Sequence, residues 1–244
     1  MNGYDISLAV DPIAATEVAA AHQAAPRMGG ALAQAAFDQL SRESDRLFEL
    51  VTEAHRPVRI FFTLSTWPYC DAGELITSIR QDRVLEVTTV AREPDRPHPL
   101  MGCELGGAYD RFRAVHDVLG HGYLDVGFDR DGEYSAWLFQ ERFHSPLARQ
   151  ALATELHGEH SVRWTTGDLP EHKATILDGQ LMRKSRQRGT LKGGGFKDSA
   201  IHSNSVVVSD SETHELGHLG HGAVEKLEIT EGELSGSDPV RADP

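Results

Sequence analysis

The sequence predicts a mainly α (α+β) fold: a single helical domain with a small β element near its start. Three observations point that way. Apolar residues recur at helical spacing through most of the stretch 31–190. Only two short runs, "VRIFFTL" (58–64) and "VLEVTTV" (84–90), have the β-branched and aromatic character of strands. The chain of 244 residues is 39% hydrophobic and 25% charged, close to what one globular domain carries.

The elements follow in order. Residues 1–30 are Ala-rich with little periodicity and read as a flexible lead-in. In "ALAQAAFDQLSRESDRLFELVTEAH" (31–55), Phe37, Leu40, Leu47, Val51 and Ala54 share one face of a helix. Strand 58–64 ends before Trp67-Pro68. Asp71 followed by Glu74 is a capping-box pattern that starts a short helix before the second strand. A proline-broken loop covers 92–102. "AYDRFRAVHDVL" (108–119) is a helix that should stop at Gly120. "GEYSAWLFQERF" (132–143) is another, with Trp137 assigned to the core. Ser145-Pro146 opens "LARQALATELHG" (147–158). Asp168 and Glu171 predict a last helix over "PEHKATILDGQLM" (170–182). From about 191 the chain turns Gly-rich and then acidic, with few large apolar groups, and reads as a disordered acidic tail. The division is therefore lead-in 1–30, domain 31–190 and tail 191–244.

Composition narrows the function. A net charge of −13 argues against nucleic acid or an anionic membrane as partner and leaves a small-molecule substrate. No apolar run approaches the about 18–20 residues of a membrane span. The N-terminal stretch lacks a basic segment and carries Asp5, Asp11 and Glu17, so it is not read as an export signal. Two cysteines, Cys70 and Cys103, suit reduced thiols in a cytoplasm. There is no P-loop, dinucleotide fingerprint, nucleophile elbow or C-x-x-C. Thirteen histidines raise the question of metal binding.

"FRAVHDVLGH" (112–121) sets His116 and His121 five positions apart. On an α-helix two ligands on one face are usually four apart. Five works if Gly120 takes a left-handed turn that swings His121 back over the last turn. A carboxylate would complete the set. Leu147, Ala151 and Glu155 share a helix face, which points the Glu155 carboxyl inward, where charge must be paired or metal-bound. Two histidines and a carboxylate form the facial triad of non-haem Fe(II) oxygenases. Zinc accepts the same ligands. The plain alternative is a hydrogen-bonded core His116, a helix-end His121 and a surface Glu155.

"VHDVLGH" followed about 34 residues later by "ALATELHG" resembles the metal-binding segment of the pterin-dependent aromatic amino acid hydroxylases. The resemblance covers roughly 112–160. It implies an iron held by His116, His121 and Glu155, with Asp117 supporting the site from behind the ligands. Where that family has a proline after the second histidine, this chain has Gly122-Tyr123. The segment that stacks the pterin has no counterpart here, so pterin use stays open. The wider pattern over about 60–178 also resembles a group of small uncharacterised proteins.

Other residues were weighed near this site. Glu133 is a candidate alternative ligand, or a carboxylate favoured at a helix start. His144 flanks the same helix. Arg111 or Arg113 could hold a substrate carboxylate, or lie on a solvated face. His160 could face the cavity, or sit in a loop. His172-Lys173 is a weaker pocket candidate. Asp117, Glu133, His144 and Arg113 are thus the catalytic candidates. A rival metal motif is "HELGH" (214–218), with His221 after it. It has the zinc-protease spacing but three glycines in its would-be helix and little apolar surface to dock on. The readings in view are a non-haem iron oxygenase, a zinc hydrolase, and a binding protein whose histidines are structural.

Overall fold

The structure, a computed structural model, describes residues 8–90 and 98–191. All lie within the compact unit Asp5–Ser199. The tail motif 214–218 and most of the loop 92–102 fall outside the described residues.

The architecture is mainly helical with two small two-stranded sheets. In chain order come β1 (Leu8–Ala9), α1 (Pro12–Ala24), α2 (Ala31–Glu53), β2 (Arg59–Thr63), α3 (Ala72–Thr77), β3 (Val84–Thr88) and α4 (Ala108–His116). Then follow α5 (Arg130–Gln140), α6 (Ala148–Leu152), α7 (Glu159–Thr166), α8 (Gly179–Arg188) and β4 (Thr190–Leu191). Strand β2 runs parallel to β3, from Arg59 opposite Val84 to Thr63 opposite Thr88, and α3 makes the crossover. This is the small β element expected near the start. Asp71 caps α3 by accepting from the Glu74 N–H at 2.9 Å, and Glu74 accepts from the Cys70 N–H at 2.7 Å.

Three helices are extended by a π-turn, in which the backbone bonds to the fifth residue rather than the fourth. Ser78–Asp82 continues α3, Asp117–Tyr123 continues α4, and Ala153–Gly158 joins α6 to α7. The helix expected to stop at Gly120 therefore runs on. Gly120 is not in a left-handed conformation; among the described glycines that falls to Gly106 and Gly167, the second closing α7.

One core cluster gathers Phe37, Leu40, Phe112, Trp137 and Leu152, all at most 2% exposed. A smaller one under the β2–β3 sheet is built on Leu85, Val87, Ile79 and Val118. Helix α2 packs on α4 and α6 through Ala33, Ala36, Phe37 and Leu40. The face predicted for it holds for its first half; Leu47 and Val51 are half-buried and Ala54 is exposed. Trp137 is in the core as expected, stacked on His157 with ring centroids 4.4 Å apart.

Two boundaries differ from the sequence reading. Much of the stretch 1–30 is not a lead-in: Pro12–Ala24 is a helix capped by Asp11, and it buries Ala14, Ala15, Val18 and Ala19 against α7 and α8. Its alanines hide the amphipathic signal, because small residues let the helix sit close to its neighbours on several sides. Strand β1 then pairs antiparallel with β4. The last helix starts at Gly179, not near 170, with Asp178 accepting from the N–H groups of Gln180 and Leu181, both at 2.9 Å. Residues before it are held extended: Ala174 bridges Met28, and the Lys173 ammonium donates to the carbonyls of His22, Gln23 and Ala25 at 2.7–2.9 Å. These carbonyls lie at the C-terminal end of α1, where the helix dipole favours a cation, and that of His22 also accepts from the Ala25 N–H at 3.2 Å.

Replacing Lys173 by Met should therefore take this donor from the Gln23 and Ala25 carbonyls, leave that of His22 with the Ala25 N–H alone, and cost roughly 2–4 kcal/mol. Urea denaturation followed by circular dichroism measures it. A loss under about 1 kcal/mol would show that water serves those carbonyls equally well.

Candidate metal centre

The π-turn Asp117–Tyr123 solves the spacing problem set by His116 and His121. Adding one residue to a single turn puts positions five apart on one face. The two rings meet edge to face with centroids 4.9 Å apart. The turn is held at both ends. Gly120 faces α5 so closely that a Cβ there would stand 2.8 Å from the Ala136 Cβ and 3.4 Å from the His116 ring. At the far end Arg80 donates to the Gly122 carbonyl at 2.8 Å, the Tyr123 carbonyl at 3.0 Å and the Asp125 carboxylate at 2.7 Å.

Helix α5 brings the carboxylate. Glu133, Ala136, Trp137 and Gln140 lie at i, i+3, i+4 and i+7, all buried. Glu133 Oε2 is 3.3 Å from His116 Nε2, 3.5 Å from His121 Nε2 and 3.4 Å from His160 Nε2. His160 comes from α7. Ligand atoms of His116, His121 and Glu133 all lie within 4.8 Å of one another. Behind them, His116 Nδ1 donates to Gln140 Oε1 at 2.9 Å and His121 Nδ1 to the Val126 carbonyl at 3.0 Å. Both rings therefore turn an unprotonated Nε2 to the centre when neutral, as metal-binding imidazoles do. His160 Nδ1 is buried without a hydrogen-bond partner.

These residues fit a metal ion. Separations of 3.3–3.5 Å are long for charge-assisted hydrogen bonds, which cluster nearer 2.7–2.9 Å. They fall in the range that separates two ligands of one ion, about 3.0 Å at right angles and about 3.4 Å on a tetrahedral edge for bonds of about 2.1 Å, and lie nearer the second. The charges within the cluster act strongly on one another. Burial opposes charge on Glu133, but His160, His116 and His121 outweigh it and hold its pKa well below the usual value. Burial also works against charge on His121, yet Glu133 and Asp117 raise its pKa to about 9. His160 is pushed down to about 4 by burial, with His116 and His121 adding to the effect. Asp117, raised mainly by burial, lies electrostatically close to His116, His121, Arg113 and Glu133.

Glu155 is not brought to this centre. It points inward as its helix face requires, with its side chain fully buried, but its Oε1 accepts from His98 Nε2 at 2.8 Å. It gathers with Glu159 and His172 in a second cluster. Glu133 takes the carboxylate position expected for it. The reason is geometric: α5 packs directly over the π-turn, while Glu155 shares its helix face with Glu159, and the next residue, His160, turns to the centre. His144 is also elsewhere. Its Nδ1 lies 3.2 Å from Glu43 Oε2, which also accepts the Ser145 N–H at 2.9 Å, so it ties α2 to the start of α6. Arg113 is half-buried and donates to the Thr88 carbonyl at 2.9 Å, and Arg111 binds Asp45 at 2.7 Å.

Sequence reasoning did not single out Glu159, His98 or Tyr109. The α5 stripe Glu133–Ala136–Trp137–Gln140, which sets two polar side chains on a buried face, was the readable signal for Glu133. His98 carried none, lying in a proline-broken loop.

A helical fold with a buried histidine–carboxylate centre is thus the class that fold and site define. Compared with known protein families, curated proteins and solved structures, the chain matches none.

Two outcomes follow. Gly120→Ala should force Ala136 and the His116 ring away and destabilise by about 1–3 kcal/mol, read as a lowered urea midpoint. Unchanged stability would mean the α5 contact yields freely. The second concerns Glu43. Burial would raise its pKa, but hydrogen bonds from His144, Gln39 and Ser145 bring it down from 4.5 to about 2. Its contribution is then whole above about pH 4.5 and is lost as pH falls toward about 2. Glu43→Gln should be less stable than wild type at pH 6, with the gap narrowing below pH 4.5. A gap constant across that range refutes the pairing.

Proposed function

We propose that this chain is a metal-dependent enzyme, a mononuclear non-haem Fe(II) oxygenase acting on a small organic substrate. The metal would be held by His116, His121 and Glu133. The carrying observation is the convergence of histidine Nε2 atoms on Glu133 Oε2 at 3.3–3.5 Å in a buried setting. Two imidazoles and one carboxylate are the facial set that leaves positions for oxygen and substrate. Iron bound there would supply oxygen activation.

The chain's own residues do the rest. Gln140 and the Val126 carbonyl fix the ring orientations of His116 and His121. A small recess, roomy enough for about one water molecule, reaches Glu133 and His160 and is lined also by Val10, Ala15, Arg130 and Tyr134. Arg130 on its wall is a half-buried guanidinium that could hold a carboxylate or similar anion. Burial holds the His160 pKa down to about 4, so its ring stands neutral beside Glu133. The net charge of −13 argues against nucleic acid as the partner. Both cysteines are free and exposed, in keeping with a cytoplasmic setting, and no described helix is long and apolar enough to cross a membrane. Pterin use has no support in the described residues.

A second reading is a zinc-dependent hydrolase. His160 favours it, because its Nε2 also stands 3.4 Å from Glu133 Oε2 and adds a third imidazole beside the centre. Zinc would supply Lewis-acid chemistry.

Anaerobic purification and metal analysis of the full chain separate these. The oxygenase reading expects iron that falls at least tenfold in His121→Ala and Glu133→Ala and survives in Glu155→Gln. Cobalt substitution gives a second readout: weak visible absorption for an open five- or six-coordinate site, intense bands for a tetrahedral one. Zinc with intense cobalt bands favours the hydrolase. No metal dependent on His121 removes both.

A further inference from the structure

We propose that Glu155, Glu159 and His172 form a second divalent-cation site, separate from the centre at His116, His121 and Glu133. Ligand atoms of the three residues lie within 4.8 Å of one another. The proposal does not depend on the assignment of iron to the first centre.

The second observation is an unsatisfied atom. The Glu155 side chain is fully buried. The His98 Nδ1 accepts the Leu100 N–H at 3.3 Å, so its Nε2 carries the proton and donates to Glu155 Oε1 at 2.8 Å. Glu155 Oε2 has no hydrogen-bond partner. A carboxylate oxygen left bare inside a protein is costly, and a cation is the strongest partner it could take.

Nearby side-chain cations are committed elsewhere. Lys173 spends its ammonium on the three carbonyls at the end of α1, and Arg113 donates to the Thr88 carbonyl. Two neighbouring carboxylates are then left with two imidazoles, His98 on Glu155 and His172 on Glu159, and with the Tyr109 hydroxyl beside them. His172 Nδ1 stands 2.8 Å from Glu159 Oε1 and 3.1 Å from the Tyr109 hydroxyl. The Glu159–His172 pair is at hydrogen-bond distance, so a cation binding there would displace the imidazole proton between them. There is also a way in. The His172 side chain is 23% exposed and that of Glu159 10%, while Glu155 forms the closed floor. Two carboxylates with one imidazole suit Mn²⁺ or Fe²⁺ better than Mg²⁺ or Ca²⁺.

Mn²⁺ is the probe, because its free-ion paramagnetic resonance signal disappears on binding and counts equivalents. The protein is the full chain with His214, His218 and His221 changed to Ala, which removes the tail motif from the count. The expected result is two equivalents. His121→Ala leaves one. Glu159→Gln and His172→Asn each leave one by removing the other. Circular dichroism checks folding, and the partly exposed His172→Asn carries the test if Glu159→Gln does not fold. A count unchanged in folded His172→Asn and Glu159→Gln overturns the second site, whatever His121→Ala does. A single equivalent lost in both His121→Ala and His172→Asn also overturns it, since that is one shared site. A single equivalent lost only in His172→Asn upholds this site and removes the first.

Discussion

One extra residue in one helical turn governs the centre of this protein. Without the π-turn after His116, positions 116 and 121 would diverge around an α-helix by more than a third of a turn. With it, the two imidazoles share a face, and that face must lie against α5. The contact is close only because position 120 has no side chain to hold Ala136 away. α5 then delivers Glu133 to Nε2 and Gln140 to Nδ1 of the same His116 ring, from two positions two helical turns apart. Orientation and ligation thus come from one rigid element. π-turns of this kind are unfavourable on their own and are retained where a fold or site needs the altered spacing.

How much of this could be read beforehand differs from element to element. Strands β2 and β3 and the capped start of α3 were readable because their signals are local: β-branched runs, and Asp71 with Glu74 three residues on. The pairing of His116 with His121 was also readable, although by the wrong device, since a left-handed Gly120 and a π-turn leave the same mark in sequence, a glycine between two histidines five apart. Helix α1 was hidden because its buried face is alanine. The extended path before α8 was hidden because its cause is Lys173 meeting carbonyls about 150 positions away in the chain.

The choice between Glu133 and Glu155 shows the same limit more sharply. Periodicity says correctly that both carboxylates face inward. It cannot say which interior feature each one meets. That depends on which helix crosses the π-turn, a long-range fact, and α5 crosses it. Glu155 meets His98 from a loop without regular structure, a partner that no helical pattern announces.

Charge placement links the two clusters. Helix α7 begins with Glu159 and His160, adjacent residues that point to different clusters. Buried carboxylates at Glu133, Glu155 and Glu159 are an unusual load for a domain of this size, because each needs compensation that water would otherwise give. Glu133 finds it in histidines. Glu159, beside Glu155, does not find enough: burial and the neighbouring carboxylate raise its pKa to about 8. Two carboxyl groups this close must either share a proton or share a cation. The domain has its cationic side chains elsewhere, with Lys173 closing α1 and Arg80 closing the π-turn. Such a distribution keeps the helix ends stable and leaves Glu155 and Glu159 to share either a proton or the cation proposed above.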